Sequence, residues 1–530
     1  MKLDYDVIVV GGGHNGLIAA GLLAKYGYHV LVLEKRSQVG GAAVTESPWG
    51  PEYKVTSLSY VISLMPPTVL RELELERYGY HVYPQHGYFV PYSDGRYLHM
   101  SDHRATRRQR VSQFSAKDAL ALDRWDDWLS ELGRALGPLL LTVPPRLGSH
   151  RPADLLELLK FAWKLRGWNT QRVGDVTRLF TMSVADLLEE FFESPQILGL
   201  KSVSGIIGTW AGPRSPGTAY VMAHHKIGDL GDGQMGCWGF PRGGMGGATQ
   251  AMRRAAEAFG CQFMTECEVG RVTTRGGRVT GVALRDGRTF QAPVVITTVH
   301  PHIAFLEHLE AGLLPDALVQ RLQSWKTRSG TVKINLALDR LPEFRCKPGF
   351  DVQVHGGTIV LVDSLDELET AYQEAVAGQP ARRPFVDLCL PSVFDDSLAP
   401  PGQHIASLFT QWVPHQFVLQ PHQAELESYA DRIIARLEGL APGFTRSILH
   451  RQIIGPHEME RDYGLIGGNI FHGELSLQQL FHMRPAPGWA QFETPVRGLY
   501  NASSATHGGG GVTGIPGLQV ARRLLKVPLS

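Results

Sequence analysis

The stretch Asp6-Val-Ile-Val-Val-Gly-Gly-Gly-His-Asn-Gly16, followed by Ile18-Ala-Ala-Gly-Leu-Leu-Ala24 and His29-Val-Leu-Val-Leu-Glu34, decides the fold of this chain. It reads as a buried strand, a glycine turn, an alanine-rich helix and a second strand that ends in an acid. The G-x-G-x-x-G spacing of Gly11, Gly13 and Gly16 gains its meaning from this context, because a dinucleotide-binding turn has to leave a strand and open a helix. Gly11 permits the tight turn, Gly13 lets the backbone approach a pyrophosphate, and Gly16 lets helix and sheet pack closely. The free N–H groups at the helix start attract the anion. Glu34 stands where an acid about twenty residues on grips ribose hydroxyls, and Gly40 and Gly41 follow at once.

Working outward, 530 residues at 43% hydrophobic and 19% charged are enough for two sizeable cores and too apolar for disorder. A formal charge of +1 argues against a broad electrostatic footprint for nucleic acid. The one basic run, Arg104-Ala-Thr-Arg-Arg-Gln-Arg110, reads as a solvated loop. The five cysteines form no C-x-x-C pair and no metal-ligand spacing, so neither a redox disulfide nor a metal site is expected. That cysteine pattern fits a reducing cytoplasm, and because the nucleotide-binding strand begins almost at the first residue, no leader peptide is expected ahead of it. No apolar stretch has the length of a membrane span.

Two more regions extend the pattern. Gly239-Phe-Pro-Arg-Gly-Gly-Met-Gly-Gly-Ala248 opens a helix through Ala258, and strands follow at 262–270, 277–284 and 294–299, the last a continuous apolar run suited to a buried parallel position. Gly498-Leu-Tyr-Asn-Ala-Ser-Ser-Ala-Thr-His-Gly-Gly-Gly-Gly-Val-Thr-Gly514 reads as strand and glycine loop before a terminal helix. Between them, helices are predicted at 68–75, 118–141, 153–168, 183–192 and 424–438. Strands are predicted at about 76–100, 330–338 and 358–361. The expected architecture is α/β: a discontinuous Rossmann-type dinucleotide-binding domain from about 1–75, 240–300 and 490–530, which the resemblance below makes an FAD-binding domain, with an inserted mixed α+β substrate domain from 76–239, rich in helix, and 301–489.

Together these regions resemble the phytoene dehydrogenase-like flavoproteins, which include carotenoid desaturases and retinol saturase. The block Tyr463-Gly-Leu-Ile-Gly-Gly-Asn-Ile-Phe-His-Gly-Glu474 is most similar to the branch named for pyridine nucleotide-disulfide oxidoreductase domain-containing protein 2. The resemblance spans essentially the whole chain and implies FAD. It places Gly11, Gly13, His14, Asn15 and Gly16 at the pyrophosphate, and Glu34 with Lys35 at the adenosine ribose. Gly40, Gly41 and Ala42 fall on the phosphate-ribityl side, and Val269 meets the adenine through its backbone. In the C-terminal loop Ser503 replaces a family glycine and Gly508 a proline, while Gly510, Gly511 and Val512 are retained. N–H groups around Gly511 and Val512 would stabilise negative charge on the flavin.

The expected chemistry is dehydrogenation or saturation of an apolar small molecule, with hydride moving between substrate carbon and flavin N5. Oxygen, a quinone or another acceptor would complete the cycle. Amine or nitrogen-heterocycle oxidation is an alternative on the same scaffold, as is a non-catalytic, FAD-stabilised binding or assembly factor. His507, at the mouth of the glycine loop, is the first acid-base candidate, with a purely structural brace as its other reading. His472 and Glu474 either face the pocket or tie a turn. Trp238 and Phe240 either line an apolar tunnel or simply pack. The leucines, Phe161 and Trp163 of 153–168, beside Lys160, Lys164 and Arg166, suit either a bilayer surface or the core, and the core-facing helix is the preferred expectation.

Overall fold

The computed structural model describes residues 4–100, 103–230 and 235–526. Its five-stranded sheet is wholly parallel, with strands in the order Leu499–Asn501, Val294–Thr297, Val7–Val10, Val30–Leu33 and Gln262–Met264. Three distant stretches of chain therefore supply one sheet. The strand Val7-Ile-Val-Val10 is buried on both faces, which explains its unbroken apolar run. Val7 and Val9 pack toward the helices His14–Lys25, Gly244–Ala258 and Ile515–Leu525, whereas Ile8 and Val10 face the meander of Val269–Arg275, Arg278–Leu284 and Thr289–Gln291.

A second sheet of seven strands runs Ile448–Ile454, Thr331–Leu338, His404–Gln411, Phe385–Cys389, Thr358–Leu361, Tyr88–Pro91 and Tyr97–His99. It is antiparallel except where Thr358–Leu361 pairs with Tyr88–Pro91. One face is aliphatic: Val332, Ile334, Val386, Leu388, Leu408 and Ile359 enter the largest core with the long helix Ala116–Leu140. The other face is of a different kind. Lys333, Phe409 and Asp387 stand in one row across three strands, and Asn335, Ser407, Cys389 and Thr358 stand in the next. All seven side chains are buried.

Two sequence expectations need correction. The basic run at 104–110 is not a loop. It forms the helix Arg104–Ser112, and Arg104, Arg107 and Arg108 pair with Asp127, Asp126 and Asp123 on the helix Ala116–Leu140. Complementary charge on a neighbouring helix, invisible in the run itself, is the cause. The apolar helix, observed at Pro152–Lys164, does not face the core, and no residue in it is buried. Leu159 and Trp163 are each 67% exposed. Among the described residues no helix is long and apolar enough to cross a membrane.

Candidate functional site

The glycine turn shows each of its tasks in space. Gly11 has φ of +99°, and a Cβ there would meet Thr298 Oγ1 at 2.5 Å. A Cβ on Gly16 would lie 2.2 Å from the Gly11 carbonyl oxygen, so this glycine lets the helix return against its own turn. A Cβ on Gly13 meets nothing within 4 Å, which leaves the open approach that a pyrophosphate requires. Gly13 also begins the helix His14–Lys25, whose first turn has no side-chain cap and no acidic residue. Its N–H groups are available to an anion.

Glu34 locks the turn to the second strand. Its carboxylate accepts from the Gly12 N–H at 2.8 Å and from the Arg36 N–H at 2.9 Å. The Gly40 N–H in turn donates to the Gly12 carbonyl at 2.9 Å, and Gly41 stands against Gly13. These residues fit a dinucleotide: an open glycine, an uncapped helix start and a buried acid at the end of the adjacent strand.

A cavity of about 320 Å³ begins at this turn. Gly11, Gly13, His14, Asn15, Glu34 and Lys35 line its dinucleotide end, joined by Gly41, Ala42 and Val269. Gly511 and Val512 line it from the C-terminal loop, and His472 lines it as well. Gly16, Gly40, Ser503 and Gly510 do not line it. Gly16 and Gly40 shape the turn from behind. Ser503 is fully buried and accepts from the Ala505 N–H, and the Gly510 carbonyl meets His224 Nε2 at 3.0 Å.

The proposed acid-base residues fare differently. His507 does not line the cavity: its Nε2 bonds the Leu139 carbonyl at 2.9 Å, at the end of the helix Ala116–Leu140, and burial pulls its pKa down to about 4. This geometry gives the bracing reading its partner and moves His507 away from the reacting space. Glu474 likewise turns elsewhere, into a two-point ion pair with Arg328 at 2.7 and 3.1 Å. His472 does reach the cavity. Burial first, then repulsion from His14 and Arg484, pulls it down to about 3, so it is a neutral and weakly basic imidazole. His14 is also neutral, pulled down to about 4 by burial, and its Nε2 has no partner among the described residues. Trp238 lines the cavity, while Phe240 packs on Phe394 with ring centroids 6.1 Å apart.

The far end of the cavity holds what sequence reading missed. Tyr60, Tyr88, Thr358, Lys333, Asp387 and Phe409 form its floor on the polar face of the seven-stranded sheet. Lys333 Nζ donates to Asn335 Oδ1 and, at 2.6 Å, to Ser407 Oγ. Tyr60 stacks on Phe409 and donates its hydroxyl to Asp387 Oδ2 at 3.0 Å. Burial pulls the Lys333 ammonium down to about 7 and pushes the Asp387 carboxyl up to about 7. The signal available in the sequence was a single lysine in Thr331-Val-Lys-Ile-Asn-Leu-Ala-Leu338 and a single aspartate in Phe385-Val-Asp-Leu-Cys389, each a costly charge inside an apolar strand.

Residues 9–69 match the NAD(P)-binding Rossmann-like domain family. A putrescine oxidase, redesigned in its cofactor binding as a triple mutant, has a similar fold, with TM-score 0.62, 17% identity and 99% coverage of both chains. The phytoene desaturase (lycopene-forming) of Paracoccus sp. is 24% identical, with 96% of this chain and 95% of that protein covered. The pyridine nucleotide-disulfide oxidoreductase domain-containing protein 2 of Rattus norvegicus is 36% identical over 543 residues, 98% of this chain and 93% of that one. Agreement of that extent, over both sheets and the Tyr463–Glu474 block alike, makes this chain a member of the pyridine nucleotide-disulfide oxidoreductase domain-containing protein 2 family, whose dinucleotide-binding fold it carries.

Proposed function

We propose that the chain is an FAD-dependent oxidoreductase that dehydrogenates or saturates a largely apolar organic molecule. The observation that carries this reading is the continuity of one cavity, from Gly11, Glu34 and Val269 at the dinucleotide turn to Tyr60, Phe409 and Asp387 on the sheet floor. A bound FAD supplies two-electron chemistry at its N5. The chain's own groups hold and shield it. Gly13 and the uncapped helix start would receive the pyrophosphate, Glu34 the ribose hydroxyls, and Gly511 and Val512 the ring. Val61, Ile62, Ile207, Trp238 and Phe471 wall the middle of the cavity with apolar surface and exclude water from a reacting C–H bond.

The electron acceptor in this reading is oxygen, a quinone or another small oxidant. Access for an apolar substrate fits a peripheral membrane contact through the helix Pro152–Lys164, whose Leu156, Leu159 and Trp163 are exposed beside Lys160 and Lys164.

The test begins with the cofactor. Purified protein is expected to be yellow, to release FAD on acid or heat treatment, and to rebind it afterwards. A colourless protein that fails to bind FAD but binds NAD(P) would overturn the flavin reading in favour of a nicotinamide one. Anaerobic reduction of the loaded protein by polyenes, saturated isoprenoids or fatty substrates then tests the substrate class.

A further inference from the structure

The floor of the cavity is too polar to serve only a hydrocarbon. Asp387 is 3% exposed and lines the cavity, and its Oδ1 has no hydrogen-bond partner among the described residues. Its other oxygen has one donor, the Tyr60 hydroxyl. No ion pair offsets it among the described residues. Lys333, the cation in the same row, sits on the far side of Phe409, two strands and roughly 10 Å across the sheet. The lysine is already turned to Asn335 and Ser407. A buried carboxylate with one neutral donor lacks compensation, and burial alone accounts for its raised pKa.

We propose that Asp387 is a specificity-determining residue that receives a protonated amine of the substrate at its free Oδ1, with the rings of Tyr60, Tyr88 and Phe409 around the ammonium group. A carboxylate set among aromatic faces attracts an organic cation twice, through a charge-assisted hydrogen bond and through the ring quadrupoles. Tyr60 and Phe409 are stacked with centroids 5.6 Å apart, and Tyr88 lines the same cavity, its hydroxyl pKa pushed up by burial first and then by the Asp387 charge. An alcohol would supply a donor but leave the buried charge uncompensated. A carboxylate ligand would add a second one. The substrate is thus an apolar body that ends in a basic nitrogen, the body lying along Ile207, Trp238 and Phe471 toward the dinucleotide end.

This assignment rests on the cavity being the substrate site of the proposed oxidoreductase, and its test separates the two. FAD content is measured first, by acid release and rebinding, and a protein that neither carries nor binds FAD sinks the flavin reading. Hexylamine, hexan-1-ol and hexanoate, of matched length, are then titrated into the purified protein at neutral pH while the melting temperature is followed, a readout that needs no turnover. Hexylamine is expected to raise Tm saturably and to bind about tenfold or more tighter than hexan-1-ol. Asp387→Asn should weaken hexylamine by about 10- to 100-fold and leave hexan-1-ol unchanged. Equal affinity for amine and alcohol in the unmodified protein overturns the assignment, as does undiminished amine binding in the variant. Tighter binding of hexanoate also overturns it, in favour of Lys333. If Asp387→Asn does not fold, the comparison of the three ligands on the unmodified protein decides by itself.

Discussion

The two sheets meet the same cavity by opposite means. The parallel sheet presents its strand ends, where ligand contact comes from backbone N–H groups and from side chains that are missing, as at Gly11 and Gly13. The antiparallel sheet presents a face, where contact comes from side chains gathered across the strands: Asp387, Phe409 and Lys333 in one row. The first arrangement has no room for an added atom at Gly11 or Gly16 and keeps Gly13 open for the ligand. The second tolerates a change of side chain but stores the cost of buried charge.

The sharpest way to break this comparison is to add one methyl group at two glycines. Gly16→Ala drives a Cβ to within 2.2 Å of the Gly11 carbonyl oxygen, and a loss of more than about 5 kcal/mol is expected, seen as insoluble or unfolded protein. Gly13→Ala meets no protein atom and should keep the Tm of the apoprotein while losing FAD. If both variants fold and bind flavin alike, the glycines are not dividing packing from ligand approach.

Next in size is the buried charge. Burial raises the Asp387 carboxyl from 3.8 to about 7, so the stability linked to its proton is complete below about pH 4 and is lost as pH rises through about 7. Asp387→Asn should abolish that loss, gaining up to about 4 kcal/mol on the unmodified protein between pH 4 and 8 in denaturant titrations. A difference independent of pH would show that the carboxylate is compensated after all.

Glu34→Ala tests the strand-end site by its buried acid. Affinity for FAD should fall by about one to two powers of ten, roughly 1.5–3 kcal/mol, in a titration of apoprotein, and an unchanged Kd would remove the acid from the ribose. His507→Ala sharpens the comparison at its smallest term. Loss of the bond to Leu139 should cost about 1–2 kcal/mol in stability, and single-turnover reduction of the loaded protein should stay within about twofold of the unmodified rate. A drop of ~10²–10⁴ would return His507 to acid-base work.

What the sequence made legible follows the same division. The dinucleotide end is written in contiguous residues, because strand, turn and helix are neighbours along the chain, and Gly11 to Glu34 lie where their spacing predicts. The seven-stranded sheet is assembled from remote pieces. Phe385–Cys389 and His404–Gln411 are buried runs whose periodicity does not separate strand from helix, and the Ile448–Ile454 edge carries exposed Leu449, His450 and Arg451 with no clean alternation. Without their register, Lys333 and Asp387 are isolated oddities. His507 kept two readings for the converse reason: its place in the glycine loop was evident, but the carbonyl of Leu139, more than three hundred residues earlier, was not.

The edge strand Leu499–Asn501 carries a consequence for synthesis. Val7–Val10 is synthesised almost five hundred residues before Leu499–Asn501, the strand that completes one edge of its sheet. Pairings of such sequence separation form slowly and leave strand edges unpaired in the meantime. Because Gly11, Val269 and Gly511 reach the same cavity only when all three stretches have been joined, dinucleotide uptake would act as a seal on their assembly rather than as an early scaffold for it.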